Sequence, residues 1–406
     1  MRIKPFQALR PPVELADKVA SPPYDVVNSA EARVLAEGNP MSFLRVVRPE
    51  IGLPEDIDLY DDRVYAQAAN TFKTFQEQGY LVRSSQDALY LYRQVMQGRE
   101  QYGVVACCHV EDYECDVIKK HERTRAPVER DRTRHVATLN ANAGPVFLTY
   151  RDDPAIDEQV QQVAAEEPLY DFVADDDVRH TVWEIADPGA LVDGFAQVPA
   201  AYVADGHHRS ASAARVARER GAANPSHDGT EEYNWFLTVL FPASQLRVLA
   251  YNRCVVDLNG LEEEAFMTAV GERFTVTPDA DPEPARAGEI SMFVGERWYR
   301  LTWPAPEEQD PVADLDVSVL QDRLLDPVLG IKDPRNDTRI QFVGGIRGTT
   351  ELEKRVTDGR CAVAFSMYPT SADQLMAVAD AGLVMPPKST WFEPKLRSGL
   401  LVHVLD

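Results

Sequence analysis

The sequence predicts a mixed α/β (α+β) protein of more than one domain, on three observations. The chain has 406 residues, which at about 100–200 residues per domain gives two or three domains. Its 44% hydrophobic and 26% charged residues are those of a globular chain able to bury a core. Short β-branched or aromatic runs alternate with stretches of helical periodicity, without a repeat, as α/β and α+β architectures require.

Taken in order, residues 60–79 place Tyr65, Ala68, Ala69, Phe72 and Phe75 at helical spacing and stop at Gly79, which predicts an amphipathic helix. Ala88–Val95 and Tyr102–Val110 are Val-rich and aromatic runs flanking Gly98, a predicted hairpin. A helix is expected over 155–167, strands at His180–Ile185 and Ala201–Ala204, an Ala-rich helix from about Ser210 to Arg220 ended by Gly221, and a strand at Asn234–Phe241. Residues 277–312, rich in Pro, Asp and Glu around one strand-like stretch at Ile290–Leu301, read as a surface excursion or boundary. A helix near Val317–Leu325, a strand at Ala362–Ser366, a helix at Ala372–Ala381 and a closing strand at Gly399–Val404 complete the expectation. We divide the chain into 1–150, 151–256 and 257–406.

Charge and cysteine content exclude several classes. Lys and Arg total 42 against 65 Asp and Glu, a net charge of -23, so the chain repels phosphate backbones and general nucleic-acid binding is not expected. No apolar stretch reaches the roughly 18 residues that cross a bilayer, and Met1 to Pro12 lacks a hydrophobic signal core. Five cysteines without a C-x-x-C pair argue against a disulfide framework or structural zinc. A cytoplasmic location without a membrane partner is the expectation.

The most informative stretch runs from Tyr202 to Gly221, YVADGHHRSASAARVARERG. A strand ends at Ala204, a turn carries Asp205, Gly206, His207, His208 and Arg209, and a helix follows with Ser210 near its start. Gly206 permits positive φ, the first helical turn leaves amides free for an anion, and Arg209 supplies a planar fork for phosphate. A carboxylate at Asp205 suits Mg²⁺ or a substrate hydroxyl. The structural alternative is that Asp205 caps the helix and the histidines are turn residues. One of His207 and His208 is expected to act and the other to pack; a metal held by both lacks an identifiable third ligand.

Other segments could complete the site. Residues 119–135 hold seven Lys or Arg against three acids, a local +4, with His121 and Glu122 as an acid/base pair; the alternative is a solvated helix pair broken at Pro127. In the Pro-rich stretch 386–395, Lys388, Ser389 and Thr390 are phosphate donors beside Trp391 and Phe392, or else belong to a packed tail. Ser21-Pro22-Pro23-Tyr24-Asp25 is a rigid turn for which a structural role is favoured, and GGIRG at 344–348 reads as a turn.

The DGHHR turn followed by an Ala-rich helix resembles the ParB/sulfiredoxin-like nucleotide-binding fold, and among its members the free serine kinases. Those enzymes phosphorylate the hydroxyl of L-serine with ADP or ATP. Where sulfiredoxins carry a catalytic cysteine this chain has His207, so peroxiredoxin repair is not implied. ParB itself uses the turn in a CTP-binding module on a DNA clamp, and this acidic chain shows no helix-turn-helix partner. The whole chain also resembles the family known as DUF1015, through IKPFQALRP, SPPYDVV, HERT, ERDRTRH, GPVFL, ADGHHR and MPPKSTWFEPKLRSGLLVHVL. That family often has an aromatic residue after DGHHR, where this chain has Ser210.

The resemblance implies a ParB/sulfiredoxin-like unit over 151–256 and a phosphotransferase that moves phosphate from ADP or ATP, with Mg²⁺, to a small hydroxyl metabolite, free L-serine being the first guess. Asp205 would orient Mg²⁺ or the acceptor; Gly206, His207 or His208, Arg209 and Ser210 would hold phosphate; Glu122 or His121 would act as base; Lys388, Ser389 and Thr390 would neutralise charge. Two alternatives are a non-catalytic nucleotide or metabolite sensor and a metal-dependent hydrolase using His207, His208 and His121. Homo-oligomer formation is left open.

Overall fold

The computed structural model describes residues 1–306 and 308–406. Two compact units emerge, one of Met1–Leu246 with Pro394–Asp406 and one of Arg247–Glu393.

In the first unit we number β1 (Ile3–Lys4), α1 (Asp62–Glu77), β2 (Leu89–Met96), β3 (Arg99–His109), β4 (Ile118–Lys119), α2 (Ala126–Leu139), β5 (Val146–Tyr150), α3 (Pro154–Ala164), β6 (Tyr170–Val173), β7 (Arg179–Ile185), α4 (Gly189–Gln197), β8 (Ala201–Asp205), α5 (His207–Ala223) and β9 (Trp235–Pro242). Among the described residues these nine strands form one sheet in the order β4-β8-β5-β9-β3-β2-β7-β6, with β1 also on β3. The β4/β8 and β5/β9 pairs are parallel and the rest antiparallel. The β2–β3 hairpin turns at Gln97 and Gly98, both at positive φ (53° and 76°), the twist that a two-residue hairpin favours.

Val104, Ala106, Leu148, Val203, Ala213, Ala217 and Phe236 share one buried core of this unit, so α5 is seated on the sheet by its alanines. A second core gathers Phe43, Phe72, Phe75, Leu139 and Val402. Helix α1 buries Val64, Tyr65, Ala68, Phe72 and Phe75. At about 1.5–3 kcal/mol per large side chain, that burial and not helix propensity holds it in place.

The expected boundary at 150 falls within this sheet, because β5 ends there and lies between β8 and β9 from the following segment. Strand composition reveals where strands are, not which pair. The closing strand is shorter than expected: only His403–Val404 pairs, with Ala141–Asn142, and Val402 bridges to Leu9.

The second unit holds β10 (Tyr251–Val255), α6 (Glu263–Gly271), β11 (Thr275–Pro278), β12 (Glu289–Val294), β13 (Arg297–Thr302), β14 (Ile340–Gly344), α7 (Thr350–Thr357), β15 (Val363–Met367) and α8 (Ala372–Asp380). Its sheet runs β11-β13-β12-β15-β10-β14, every pair antiparallel. Residues 277–312 are therefore no mere excursion. The single strand expected over Ile290–Leu301 is a hairpin turning at Gly295 and Glu296, both at positive φ (57° and 61°). Over Val317–Leu325 the backbone starts as an α-turn at Asp316–Leu320 and widens to a π-turn at Gln321–Leu325.

Candidate functional site

The site begins where β8 stops pairing regularly. Val203 lies opposite Leu148 but Asp205 opposite Phe147, so the strand carries one residue more than its partner between them. Such a bulge re-aims the side chain that follows it, and here it breaks the alternation that would set Asp205 on the same face as Val203. Gly206 then takes φ 103°, ψ 28° and starts α5 with no side-chain cap.

Helix α5 starts at His207, three residues earlier than the sequence predicts. Both histidines and Arg209 thus sit in the first turn, where amides have no intrahelical acceptor. Ser210 is displaced from its expected role for the same reason. Its amide already donates to Gly206 O (3.0 Å), and its buried hydroxyl turns back to Gly206 O and His207 O (3.3 and 3.1 Å).

Arg209 is the hub. Its Nη1 donates to Pro145 O at 2.8 Å, and Nη2 lies 3.4 Å from Asp205 Oδ1 and 3.6 Å from Asp25 Oδ2. Nε is buried and has no hydrogen-bond partner among the described residues. Burial opposes the guanidinium charge, but Asp25 and Asp205 outweigh it and raise the pKa. Asp205 is the converse case: burial would raise its pKa, while Lys395 and Arg209 hold it well below the carboxylate range. Lys395 Nζ stands 3.2 Å from Asp205 Oδ2.

Asp205 thus meets a cation at each oxygen, a setting that does not fit the Mg²⁺ ligand expected there. Among the described residues no group of three or more His, Cys, Asp or Glu is placed to hold a metal ion. Of the three histidines expected to serve a hydrolase, one is engaged by the backbone and the other two pack against each other. His208 Nε2 accepts the Arg125 amide at 3.0 Å. The rings of His121 and His207 meet edge to face, with centroids 4.5 Å apart.

Burial lowers both of these pKa values, that of His121 to about 4, so each imidazole is neutral at pH 7. His121 Nδ1 and His207 Nε2 are buried without a hydrogen-bond partner among the described residues. His121 is only 2% exposed. Glu122 stays nearer the surface, 41% exposed, with Oε2 3.9 Å from His207 Nδ1.

In the basic segment, three of the seven cations are paired with carboxylates. Pro127 lies in the first turn of α2 and starts that helix instead of breaking one. Lys120 pairs with Asp116 (2.7 Å), Arg132 with Asp131 (2.6 Å) and Arg134 with Asp62 (2.6 Å). Arg132 also stacks over the Tyr24 ring at 4.3 Å. Lys388, Ser389 and Thr390 belong to the second unit: Ser389 is buried and donates to Pro386 O at 2.7 Å, and Lys388 Nζ lies 5.4 Å from the Tyr251 ring centre.

Two groups that sequence reasoning set aside or missed complete the cluster. The turn Ser21–Asp25 was weighed as structural, yet it brings Asp25 to Arg209 and Tyr24 to Arg132. Lys395, in the same Pro-rich stretch as Lys388, belongs to no motif that marks it in the sequence. Tyr24, Arg132, His135, Asn142, Gly144 and Arg209 line a cleft that opens to solvent. A Cβ at Gly144 would lie 3.7 Å from Arg209 Cδ, an ordinary contact.

Comparison with known proteins adds the following. The chain resembles solved structures of a free serine kinase mutant in complex with AMP (13% identity, TM-score 0.37, covering 74% of this chain and 92% of that one) and of C-terminally truncated SbnI from Staphylococcus aureus (13%, 0.39, 74% and 87%). A further free serine kinase mutant, in complex with ADP, matches at 14% identity and TM-score 0.37, covering 74% and 92%. No curated protein matches the sequence. The profile of the family described as "Protein of unknown function (DUF1015)" matches residues 3–318. Covering more than three quarters of the chain, that match identifies it as a member of the DUF1015 family.

Proposed function

We propose that the first unit is a nucleotide-dependent small-molecule kinase, transferring a phosphoryl group from ADP or ATP to a hydroxyl, with free L-serine the first acceptor to test. The observation that supports this reading is the position of Arg209, buried in the uncapped first turn of α5 with carboxylates on two sides and the cleft beside it. Phosphoryl transfer asks a protein chiefly for positioning and charge stabilisation. The free amides of α5 and the Arg209 guanidinium supply both for a phosphate. The resemblance of the DGHHR turn to that of free serine kinases supports ADP or ATP as the donor.

Asp25 is the base in this reading, since it is the carboxylate on Arg209 that is not also paired with Lys395. It accepts the proton of the acceptor hydroxyl as the new O–P bond forms and the bond to the leaving nucleotide breaks. Asp205 holds Arg209 in place and takes no proton. No step is routed through a metal, because Asp205 is already neutralised.

The test is phosphorus NMR of the purified protein with Mg²⁺, L-serine and either ADP or ATP. A new phosphomonoester signal with matching AMP or ADP release is the expected result. Thermal stabilisation by nucleotide without product would replace the kinase with a sensor, and neither effect would overturn the site.

A further inference from the structure

The cleft beside Arg209 runs along the flank of α5 and not over its end, since Arg209 and Ala213, four residues apart and so on one helix face, both line it. The free amides that suit a phosphoryl group point out of the helix end. The cleft is thereby left for the other reactant.

Its wall carries two uncharged polar groups that no protein group uses. Asn142 Oδ1 accepts the Leu237 amide at 3.3 Å and lies 3.3 Å from His403 Nδ1. A backbone N–H requires an oxygen opposite it, so the side-chain amide has one orientation, and its Nδ2, a donor only, has no partner among the described residues. Ser398 is held through its backbone, whose N and O exchange hydrogen bonds with Ser21 O and N at 2.9 and 3.0 Å. Its hydroxyl has no partner among the described residues. Ser398 Oγ and Arg209 Cδ flank the same glycine, 3.4 and 3.7 Å from where a Gly144 Cβ would lie.

The charge on this wall has one sign. Arg132 and Arg209 line the cleft, whereas no Asp or Glu does so. The neighbouring carboxylates face the arginines instead, Asp131 on Arg132 at 2.6 Å, and Asp25 and Asp205 on Arg209 at 3.6 and 3.4 Å. A carboxylate entering here meets hydrogen-bond donors, while an ammonium meets no acid on the wall.

Resting on the reading above, we propose that the acceptor is a short hydroxycarboxylate whose carboxylate sits in this cleft, bound by Asn142 Nδ2 and Ser398 Oγ beside Arg209, and that an amino group is no part of what is recognised. The class includes L-serine and extends to hydroxy acids without nitrogen. Tyr24 lines the cleft and Asp25 follows it in the chain, which keeps the proposed base next to the bound acid.

The experiment is calorimetry of the full chain with D-glycerate, L-serine, L-serinamide and ethanolamine. The two acids are expected to bind within about threefold of each other, because the wall offers nothing that separates them. L-Serinamide and ethanolamine should bind at least about tenfold more weakly, having lost a charge-assisted bond. Ser398→Ala removes the hydroxyl and leaves the backbone bridge, and is expected to weaken both acids about tenfold. Asn142→Asp keeps an oxygen for the Leu237 amide but replaces the donor with negative charge, and is expected to weaken them about a hundredfold.

Circular dichroism and the thermal midpoint check folding; Ser398→Ala, which breaks no protein hydrogen bond, carries the test if Asn142→Asp does not fold. Absence of binding by both acids, or L-serinamide binding as tightly as L-serine, would overturn the carboxylate cleft. Unaltered affinity in the folded variants would overturn the roles of Asn142 and Ser398, and a larger preference for L-serine over D-glycerate would overturn the nitrogen-free class. Acid binding that the variants weaken, without any phosphorus NMR product, would leave the cleft standing and remove the kinase.

Discussion

At φ 103° Gly206 adopts a backbone that L side chains reach only with strain, and a Cβ there would lie 3.0 Å from Arg209 Nε. Gly206→Ala should therefore cost about 1–2 kcal/mol of stability and push Arg209 off its position. A urea melt together with nucleotide calorimetry checks this, and unchanged affinity would separate Arg209 from the ligand. For Asp25→Asn the expectation is an intact fold with turnover lowered about 10²–10⁴-fold, the usual worth of a general base. Full activity would pass that role to Glu122. Asp205 and Arg209 were legible in the sequence because five contiguous residues carry them. Lys395 was not, since it reaches Asp205 across 190 residues, and no local pattern encodes a contact at that separation. Asp25 was visible as a displayed carboxylate, but only folding could show that it faces Arg209.

Where β3 crosses β9, Gly103 leaves room for its neighbours: a Cβ there would sit 2.5 Å from Val239 Cγ1 and 2.6 Å from Phe241 Cζ. Gly103→Ala should force the strands to shift and destabilise the first unit by about 1–3 kcal/mol, readable as a lower thermal midpoint; an unchanged midpoint would mean that the ring swings aside without cost. Elements with strong periodicity were legible. Helix α1 follows its apolar spacing, and the β2–β3 hairpin follows the glycine between two Val-rich and aromatic runs. The start of α5 was misplaced because its cap is a glycine, whereas the familiar signal is a side-chain oxygen. At Pro127 the opposite slip occurred, a residue read as a breaker serving in a first turn that wants no amide hydrogen.

For the molecule as a whole, buried imidazoles set the response to acid. Burial pushes His121 and His135 down to about 4, and lowers His180, His207 and His403 as well. The unfolded chain takes up these protons near pH 6.5, whereas the folded chain holds His121 and His135 neutral down to about 4 and protonates the other three below 6.5 as well, so stability is complete above about 6.5 and falls as the pH drops below it. Asp205, held low by Lys395 and Arg209, adds a loss only further into acid, below the ordinary carboxylate range. Urea midpoints should be lower at pH 5 than at pH 7, each histidine contributing up to about 1.4 kcal/mol per pH unit; equal midpoints would mean that the histidines ionise within the fold. The mixed α/β class was legible from alternating patterns, while the division of the chain was not, because Pro394–Asp406 rejoins a unit left at Leu246. That return orders events during synthesis. Lys395 leaves the ribosome only after the whole of 247–393, so a nascent polypeptide can shape Asp205 and Arg209 early yet lacks the ammonium on Asp205 until that second unit has been made.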